Sequence, residues 1–251
     1  MPKFFVKNTQ IEEEKNRILI IGSDVNHIKN VLRAKIGDEL IIAQTPNPQD
    51  YKCQIVEFEK DKIICKILEK LKIEEEKVEV TIFQGLPKAD KMELIIQKSV
   101  ELGAMEIVPV QMKRCVVKLD EKDKIKKIQR WQKISEVAAK QCGRNEIPEI
   151  KPCIYVKDIC QMIQDYDVVL VAYEKESENK IKNELKKLKE VKDKQKIKIG
   201  VVIGPEGGLE PEDVEMLKQS GAKTVTLGKR ILRTETVALN VTGNIMYELE
   251  D

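Results

Sequence analysis

Hydrophobic and polar positions follow one rhythm in the first seventy residues and another in the rest of the chain. Short apolar stretches come first, separated by the turn IGDE and the loop TPNPQD, and they predict β-strands at 4–6, 17–21, 39–43, 51–58 and 62–68. A small barrel is the simplest fold for such strands. One helix is expected among them, with Ser23 or Asp24 as its N-cap and Leu32 near its end.

From residue 78 onward, strands and helices alternate. The apolar runs VEVTIF, EIVPV, VVLVAY and IKIGVVI predict buried strands, and a last strand is expected at TVTLG. This alternation predicts a parallel sheet with crossover helices, in which ligands bind at the carboxyl ends of the strands. Helices are predicted at 89–102, 124–141, 156–163, 177–191, 211–219 and 236–248.

Length and charge fit two globular domains. We predict a first domain at 1–71, the polar linker KIEEEK at 72–77 and a second domain at 78–251. With 45 basic and 43 acidic residues in total, the chain is not a general polycation. The charge is uneven, however, because the segment from Lys113 to Arg144 holds eleven Lys or Arg and four Asp or Glu. This segment could bind an acidic partner, or it could be a solvated helix face.

Cysteine and histidine usage narrows the chemistry. The six cysteines form no C-x-x-C pair, and the first residues lack the apolar core of a signal peptide. We therefore expect reduced cytosolic thiols, no metal site and no membrane span. Because the chain has only one histidine, His27, most catalytic mechanisms and metal sites that use histidine are excluded. A structural role beside Val31 and Leu32 is expected for His27.

The segment GPEGGL, at 204–209, follows the apolar run KIGVVI directly. Glycines allow backbone N–H groups to approach a ligand, and Pro205 fixes one φ angle, so the segment could form a stiff cradle. Its spacing is neither that of a dinucleotide fingerprint nor that of a P-loop. A tight connection without a ligand is the alternative.

The segment LGKRILRTETVALN, at 227–240, lies between a predicted strand and the last helix. It carries two arginines and a Thr-Glu-Thr triplet where N-caps and anion sites occur. In the alternative interpretation, Thr234 or Thr236 caps the helix and the arginines form surface ion pairs. That alternative accounts for the threonines better than for the arginines.

Together these two segments resemble the SPOUT (α/β-knot) methyltransferases, and within them the RsmE family of 16S rRNA uridine-N3 methyltransferases. KADKMELIIQKSVELGAMEIVPVQMKRCVV, AAKQCGR, VLVAYE and the N-terminal HIKNVLRAKIGDEL extend the resemblance over nearly the whole chain. It implies a SPOUT α/β trefoil-knot methyltransferase domain after a PUA-like β-barrel RNA-binding domain. It also implies S-adenosyl-L-methionine as cofactor, 16S rRNA of the small ribosomal subunit as substrate, a homodimer and a cytoplasmic location.

The resemblance also implies the cofactor residues. Four positions depart from the family pattern: Lys229, Val237, Cys115 and Cys142. The two cysteines, which stand where serine is common, weaken any requirement for a hydroxyl group there. The implied cofactor-binding residues are Leu170, Ala172, Glu174, Ile203, Gly204, Glu206, Gly207, Gly208, Leu227, Gly228, Arg230, Ile231, Leu232, Arg233 and Thr234.

The expected reaction needs the loss of a weakly acidic proton from uridine N3, so a carboxylate base is expected. Glu235 is the candidate, although it could instead be a helix-capping carboxylate. Arg114 and Arg144 are expected to grip an RNA phosphate or the cofactor carboxylate, with surface ion pairs as the alternative. Arg33 and Lys113 complete the predicted RNA-binding set.

Two other functions remain open from the sequence. One is a non-catalytic RNA-binding or ribosome-assembly protein, against which the intact glycine segment argues. The other is a SPOUT enzyme with a different target, such as a ribose 2′-hydroxyl of tRNA or rRNA, against which the N-terminal segment argues. An N3 target favours RNA in which the uridine is unpaired or flipped out, because N3 lies on the Watson–Crick edge.

Overall fold

The chain forms two compact units in a computed structural model that describes residues 1–73, 76–190 and 196–250. The first unit comprises Met1–Glu75 and Ala139–Ile147, and the second comprises Glu76–Ala138 and Pro148–Asp251. The sequence predicted a second domain that runs without interruption from 78 to 251, whereas here a short segment returns to the first unit. Residues 74 and 75 of the predicted linker lie outside the described residues.

A six-stranded sheet forms the first unit. Its strands are β1 (Lys3–Lys7), β2 (Ile11–Glu12), β3 (Arg17–Ile21), β4 (Glu39–Thr45), β5 (Gln49–Phe58) and β6 (Lys62–Leu71). They lie in the order β1-β4-β5-β6-β3-β2, and only the pair β1 and β4 is parallel. The two-residue strand β2 was not predicted, because two residues are too few to show an alternating pattern.

Alternation of apolar side chains places the core of this unit on one face of its strands. In β5, Tyr51, Cys53 and Ile55 are buried, whereas Lys52 and Gln54 between them are partly exposed. Burial raises the pKa of the Cys53 thiol to about 12, so this cysteine is protonated at neutral pH. It therefore acts as a small apolar side chain in the core.

The helix after β3 is shorter than expected. Its N-cap is Gly22, with a φ of 76°, and not Ser23 or Asp24 as the sequence predicted. Glycine adopts this left-handed conformation without a steric penalty, so the residue before the predicted caps ends the strand. The regular helix α1 covers Ser23–Asn26, and a π-helical turn over His27–Val31 follows it.

The single histidine has a structural contact. The ring of His27 packs edge-on against Phe4, with 5.9 Å between ring centroids. Phe4 belongs to the core of the first unit, in which Val25 and Ile28 on either side of His27 are also buried. His27 itself is exposed, as are Val31 and Leu32, so its structural role stays a prediction.

A largely buried ion pair attaches the returning segment within the first unit. Lys3 Nζ lies 2.6 Å from Asp50 Oδ2 and donates hydrogen bonds to Asn145 Oδ1 at 2.6 Å and to Gly143 O at 3.3 Å. The Lys3 and Asp50 side chains are only 7% and 10% exposed. The turn that carries Arg144 is therefore held against β1 and β5.

The second unit contains a parallel sheet, as predicted. Its strands are β7 (Val78–Gly85), β8 (Ala104–Gln111), β9 (Glu149–Ile150), β10 (Ile154–Tyr155), β11 (Val168–Ala172), β12 (Ile197–Ile203) and β13 (Lys223–Val225). Their order is β10-β8-β7-β12-β11-β13, with β9 beside β8. The sequence missed the two-residue strands β9 and β10. The central strands β7, β12 and β11 are buried nearly throughout, which is why they read as continuous apolar runs.

Six helices connect and flank these strands: α2 (Lys91–Glu101), α3 (Glu121–Cys142), α4 (Val156–Met162), α5 (Ile181–Glu190), α6 (Pro211–Gln219) and α7 (Thr234–Leu249). All six were predicted: α6 has the predicted bounds, and the ends of the other five are shifted. Helix α2 begins later than expected because Ala89 has a left-handed φ of 54°. Helix α7 begins two residues earlier than expected. Within the described residues, no helix is long and apolar enough to cross a bilayer.

The loop before α5 forms a turn where the sequence predicted helix. The Glu176 carboxylate accepts hydrogen bonds from the backbone N–H groups of Glu178 and Asn179 and from the hydroxyl of Thr224, on β13. The Thr224 hydrogen bond, followed by those of the backbone, lowers the pKa of Glu176 to about 2. This turn delays the start of α5 to Ile181. Residue 191, the predicted end of this helix, lies outside the described residues.

Candidate functional site

A cavity of about 240 Å³ opens at the carboxyl ends of β11, β12 and β13, where the sequence predicted ligand binding. Two segments contribute most of its wall: Ile203–Leu209, called the glycine loop, and Thr226–Arg233, called the arginine loop, of which all residues but the last line the cavity. Leu170 and Arg233 do not line it, because Leu170 is buried within β11 and Arg233 is the N-cap of α7. The lining residues are Ala172, Tyr173, Glu174, Ile203, Gly204, Pro205, Glu206, Gly207, Gly208, Leu209, Val225, Thr226, Leu227, Gly228, Lys229, Arg230, Ile231, Leu232, Thr234 and Val237.

Close packing within the glycine loop accounts for two of its glycines. A Cβ atom on Gly204 would lie 2.9 Å from the carbonyl carbon of Gly208 and 3.1 Å from the backbone nitrogen of Leu209. Gly208 has a left-handed φ of 72°, and a Cβ there would lie 2.8 Å from Oε1 of Glu174. A hydrogen bond of 2.9 Å from Gly208 N to Pro205 O closes the turn. These glycines therefore allow the loop to fold tightly around itself.

Arg114 holds the same loop from outside. Its guanidinium donates to Gly207 O at 2.9 Å and to both carboxylate oxygens of Glu210, at 3.0 and 3.2 Å. A Cβ on Gly207 would lie 3.2 Å from the Arg114 Cβ, so the third glycine makes room for this side chain. The planar guanidinium has several N–H donors, so it can bind a carbonyl oxygen and a carboxylate at the same time. For Arg114, the structure shows the ion pair that the sequence left as the alternative.

A buried hydroxyl connects three parts of the site. Thr234 Oγ1 donates to Gly204 O at 2.7 Å and accepts a hydrogen bond of 2.8 Å from Nε2 of Gln84, at the end of β7. Thr234 is the first residue of α7, and the N-cap of this helix is Arg233. The alternative interpretation, in which Thr234 or Thr236 caps this helix, is therefore wrong, and the Thr234 hydroxyl bonds to the glycine loop instead. Gln84 was not predicted from the sequence.

Lys91, at the start of α2, bridges two carboxylates of the site. Its Nζ lies 3.0 Å from Glu206 Oε1 and 3.4 Å from Oε2 of Glu235. The Glu206 carboxylate also accepts hydrogen bonds from the backbone N–H of Lys88. Sequence reasoning missed Lys91 because a lysine in the first turn of an amphipathic helix is typical of a solvent-exposed position.

The contact between Lys91 and Glu206 shifts the pKa of each group in the direction that favours its charged form. The hydrogen bond with Glu206, and after it that with Glu235, raises the pKa of Lys91. Burial alone would raise the pKa of Glu206, but hydrogen bonds from Lys91 and from backbone N–H groups outweigh burial and lower it. The Lys91 ammonium and the Glu206 carboxylate therefore both stay charged at neutral pH.

The arginine loop is anchored at its start and exposed along its middle. The backbone N–H of Thr226 donates to Asn179 O, and the Asn179 side chain donates to Thr224 O. Lys229 and Arg230 are exposed, and Ile231 is 86% exposed. No group of three or more metal-ligating side chains occurs in the described parts of the chain.

Comparisons with known proteins fit this arrangement. Residues 74–246 match the family described as an RNA methyltransferase domain, and residues 20–68 match an RNA methyltransferase PUA domain. The chain is 38% identical to ribosomal RNA small subunit methyltransferase E of Bacillus subtilis over 254 aligned positions, covering 100% of this chain and 98% of that protein. The chain belongs to the ribosomal RNA small subunit methyltransferase E family.

Other members of the methyltransferase E family support this assignment. The protein of that name from Mesomycoplasma hyopneumoniae is 32% identical over 95% of this chain and 96% of its own length. The crystal structure of the methyltransferase E of Neisseria gonorrhoeae, which is bound to S-adenosyl methionine, superposes with a TM-score of 0.83 at 26% identity. The match covers 99% of this chain and 98% of that one. The fold is thus a PUA domain followed by an α/β RNA methyltransferase domain.

The remaining predicted residues of this methyltransferase E family member lie in different environments. Lys113 pairs with Glu212 at 2.9 Å on an exposed surface. Arg33 is exposed with a left-handed φ of 53°, and Arg144 is partly buried in the returning segment of the first unit. Burial raises the pKa of the Cys115 thiol, so this residue has a packing role.

Proposed function

We propose that this protein transfers a methyl group from S-adenosyl-L-methionine to N3 of a uridine in 16S rRNA of the small ribosomal subunit. The observation that carries the proposal is the cavity between the glycine and arginine loops, in a chain that shares its full length with the methyltransferase E family. The name shared by its relatives supports the substrate class, and the cofactor of the Neisseria gonorrhoeae protein supports the methyl donor.

The lining residues suit this cofactor. Backbone groups of the tightly folded glycine loop supply donors and acceptors, and apolar side chains from both loops supply surface for a flat ring. When bound, S-adenosyl-L-methionine supplies an electrophilic methyl group on a sulfonium. We assign cofactor binding to the side of the cavity formed by Ala172, Glu174, Ile203, Gly204, Glu206, Gly207, Gly208, Leu227, Gly228, Leu232 and Thr234.

Glu235 is the proposed base. Its side chain is 15% exposed, and its Oε2 lies 3.4 Å from the Lys91 ammonium nitrogen. In the proposed step, a Glu235 oxygen accepts the proton of uridine N3. Lys91 then faces a neutral carboxylic acid, and its ammonium remains paired with Glu206. A carboxylate held in this way could remove the proton without itself moving far.

The RNA partner requires cationic groups, because the phosphate backbone dominates affinity for nucleic acids. We propose Arg33 and Arg144, on the first unit, and Lys113 and Arg114, on the second, as RNA contacts in the assembled complex. Arg114 and Lys113 would have to exchange the carboxylates that they contact here for phosphates. The proposal also includes a homodimer, no metal ion and, because the substrate is ribosomal, a cytoplasmic site of action.

Methyl transfer to isolated subunits tests the proposal. Small ribosomal subunits lacking 3-methyluridine are incubated with the protein and S-adenosyl-L-methionine labelled in its methyl group, and the digested RNA is analysed by mass spectrometry. We expect 3-methyluridine near the 3′ end of 16S rRNA. Labelled 2′-O-methylribose, or no transfer despite cofactor binding, would contradict the proposed reaction.

A substitution tests the proposed base. Glu235→Gln keeps the size of the side chain but removes the proton acceptor, and we expect kcat to fall by about 100-fold or more. The dissociation constant of the cofactor is the internal control, because the amide does not disturb the glycine loop. A Glu235→Gln enzyme that retains the wild-type kcat would show that another group accepts the proton.

A further inference from the structure

The cations of the arginine loop form no ion pair with another described residue. Lys229, Arg230 and Arg233 are all exposed. Among the residues that the structure describes, no carboxylate oxygen lies within 4.0 Å of a side-chain nitrogen of any of the three. Three cations within five positions also repel one another, which favours an anion that binds between them.

The basic segment from Lys113 to Arg144 behaves differently. Several of its cations contact carboxylates from other elements: Lys113 lies 2.9 Å from Glu212, Arg114 lies 3.0 Å from Glu210, and Arg130 lies 2.7 Å from Glu93. Part of the charge excess that the sequence shows there is therefore neutralised by folding. The cations of the arginine loop remain available to an external anion.

Their position indicates which anion. Lys229 and Arg230 lie on the wall of the cavity proposed for the cofactor, and both residues are exposed. Ile231, between Arg230 and Leu232, is 86% exposed beside them. A surface that combines two guanidinium groups, an ammonium group and an exposed aliphatic side chain suits a nucleic acid strand, which presents phosphates and the faces of bases together.

We propose that Lys229, Arg230 and Arg233 bind phosphates of the substrate RNA next to the nucleotide that enters the cavity. This inference rests on the proposed function. It assigns Arg230 and Arg233 to the RNA and not to the cofactor, where the sequence resemblance placed them. The three side chains would thus hold the strand at the cavity mouth, while the glycine loop holds the methyl donor.

Salt dependence tests this assignment, because each phosphate contact contributes a fixed increment to the slope of log K against log [salt]. Binding of the wild-type protein to small subunits lacking 3-methyluridine is measured from about 50 to about 200 mM salt at constant magnesium concentration. For the double variant Arg230→Gln/Arg233→Gln we expect the slope to fall by about 1.4–1.8, or about 0.7–0.9 for each lost contact. Lys229→Gln alone should lower it by about 0.7–0.9.

Two controls complete the experiment. Lys182→Gln/Lys186→Gln removes the same charge from exposed positions on α5 and should leave the slope within about 0.3 of the wild-type value. Calorimetry of S-adenosyl-L-methionine binding and the thermal midpoint should match the wild type for all variants, which shows that the fold and the cofactor site are intact.

The outcomes separate the two proposals. If the arginine-loop and α5 variants have the same slope, the phosphate assignment is wrong. If the arginine-loop variants lose cofactor affinity by about tenfold while the slope stays unchanged, the arginines belong to the cofactor site. If the wild-type protein neither binds the subunits nor methylates them, the proposed function itself fails, and this inference fails with it.

Discussion

The glycine loop and the arginine loop form the same cavity by opposite means. The glycine loop is fixed by contacts within the protein: the turn at Pro205, the buried hydroxyl of Thr234 and the guanidinium of Arg114. The middle of the arginine loop presents side chains that no described carboxylate contacts, and Ile231 is almost fully exposed. The glycine loop is therefore preorganised in the absence of ligand, whereas the exposed side chains of the arginine loop are free to contact an external partner.

This difference indicates which of the two loops contributes most of the binding free energy for each proposed ligand. A preorganised loop loses little conformational entropy on binding, which favours affinity for a small cofactor. Exposed, charged side chains contribute mainly through long-range attraction and counterion release, which suits a large polyanion. We therefore expect substitutions in the first loop to affect folding and cofactor binding, and those in the second to affect RNA binding.

Gly204→Ala should have the largest effect. Its Cβ would lie 2.9 Å from the backbone of Gly208, which cannot move without opening the turn. We expect a loss of about 1–3 kcal/mol in the free energy of unfolding, and a loss of at least about tenfold in cofactor affinity. Chemical denaturation and calorimetry measure the two quantities.

Gly243→Ala is the matched control for this change. Gly243 lies within α7, where an added Cβ would be 4.0 Å from Leu102 Cδ2, an ordinary contact distance. Alanine in a helix interior should raise the stability by about 0.5–1 kcal/mol. If Gly204→Ala behaves like this control, the glycine loop is not built by close packing and the comparison of the two loops fails.

Thr234→Val should have the next largest effect. The substitution preserves shape but leaves Gly204 O without this donor and removes one of the two acceptors of Gln84 Nε2, in a site where Thr234 is only 5% exposed. Buried groups left without partners cost about 1–3 kcal/mol. Thr234→Ser keeps the hydroxyl and should restore most of the urea midpoint. Equal midpoints for wild type and Thr234→Val would show that the hydroxyl contributes nothing.

Arg114→Gln sharpens the comparison, because Arg114 was predicted as an RNA residue and lies here against the glycine loop. Loss of its contacts with Gly207 O and Glu210 should weaken cofactor binding by about tenfold. Arg114→Lys should not restore the affinity, since lysine lacks the fork. Lys113→Gln, in a neighbouring exposed pair, is the control for cofactor affinity, which it should leave unchanged. Unchanged cofactor affinity in Arg114→Gln would show that Arg114 does not hold the glycine loop in its binding form.

The fold was largely predictable because the sequence patterns that indicate its strands and helices are local. Continuous apolar runs gave the buried parallel strands β7, β11 and β12, and amphipathic periodicity gave all six helices of the second unit. The segments that form the cavity also stood out, through their glycines and arginines. Strands of two residues were missed, since they are defined by their neighbours in the sheet and not by their own pattern.

The internal connections of the site were not predictable, because they join residues far apart in the sequence. Thr234 bonds Gln84 across 150 positions and Gly204 across 30, and nothing in the local sequence distinguishes this hydroxyl from a helix cap. Lys91 likewise meets Glu206 and Glu235 only after folding. For Lys113 and Arg114, the carboxylates that neutralise them follow about a hundred residues later, so a count of local charge could not reveal them.

Glu176→Gln should have the smallest effect, at the anchored start of the arginine loop. Its pKa is lowered to about 2 by the hydrogen bonds of Thr224 and of backbone N–H groups, so the native state binds the proton less readily than the unfolded chain. The stabilisation is therefore fully present above the ordinary pKa of 4.5 and is lost as the pH falls toward 2. The carboxylate is close to solvent, so we expect less than about 1 kcal/mol. Thermal midpoints at about pH 6 and about pH 3 should differ less for Glu176→Gln than for wild type. If the thermal midpoint falls equally in both proteins between these two pH values, this carboxylate does not hold the start of the arginine loop. The start of the arginine loop would then be held as weakly as its exposed middle.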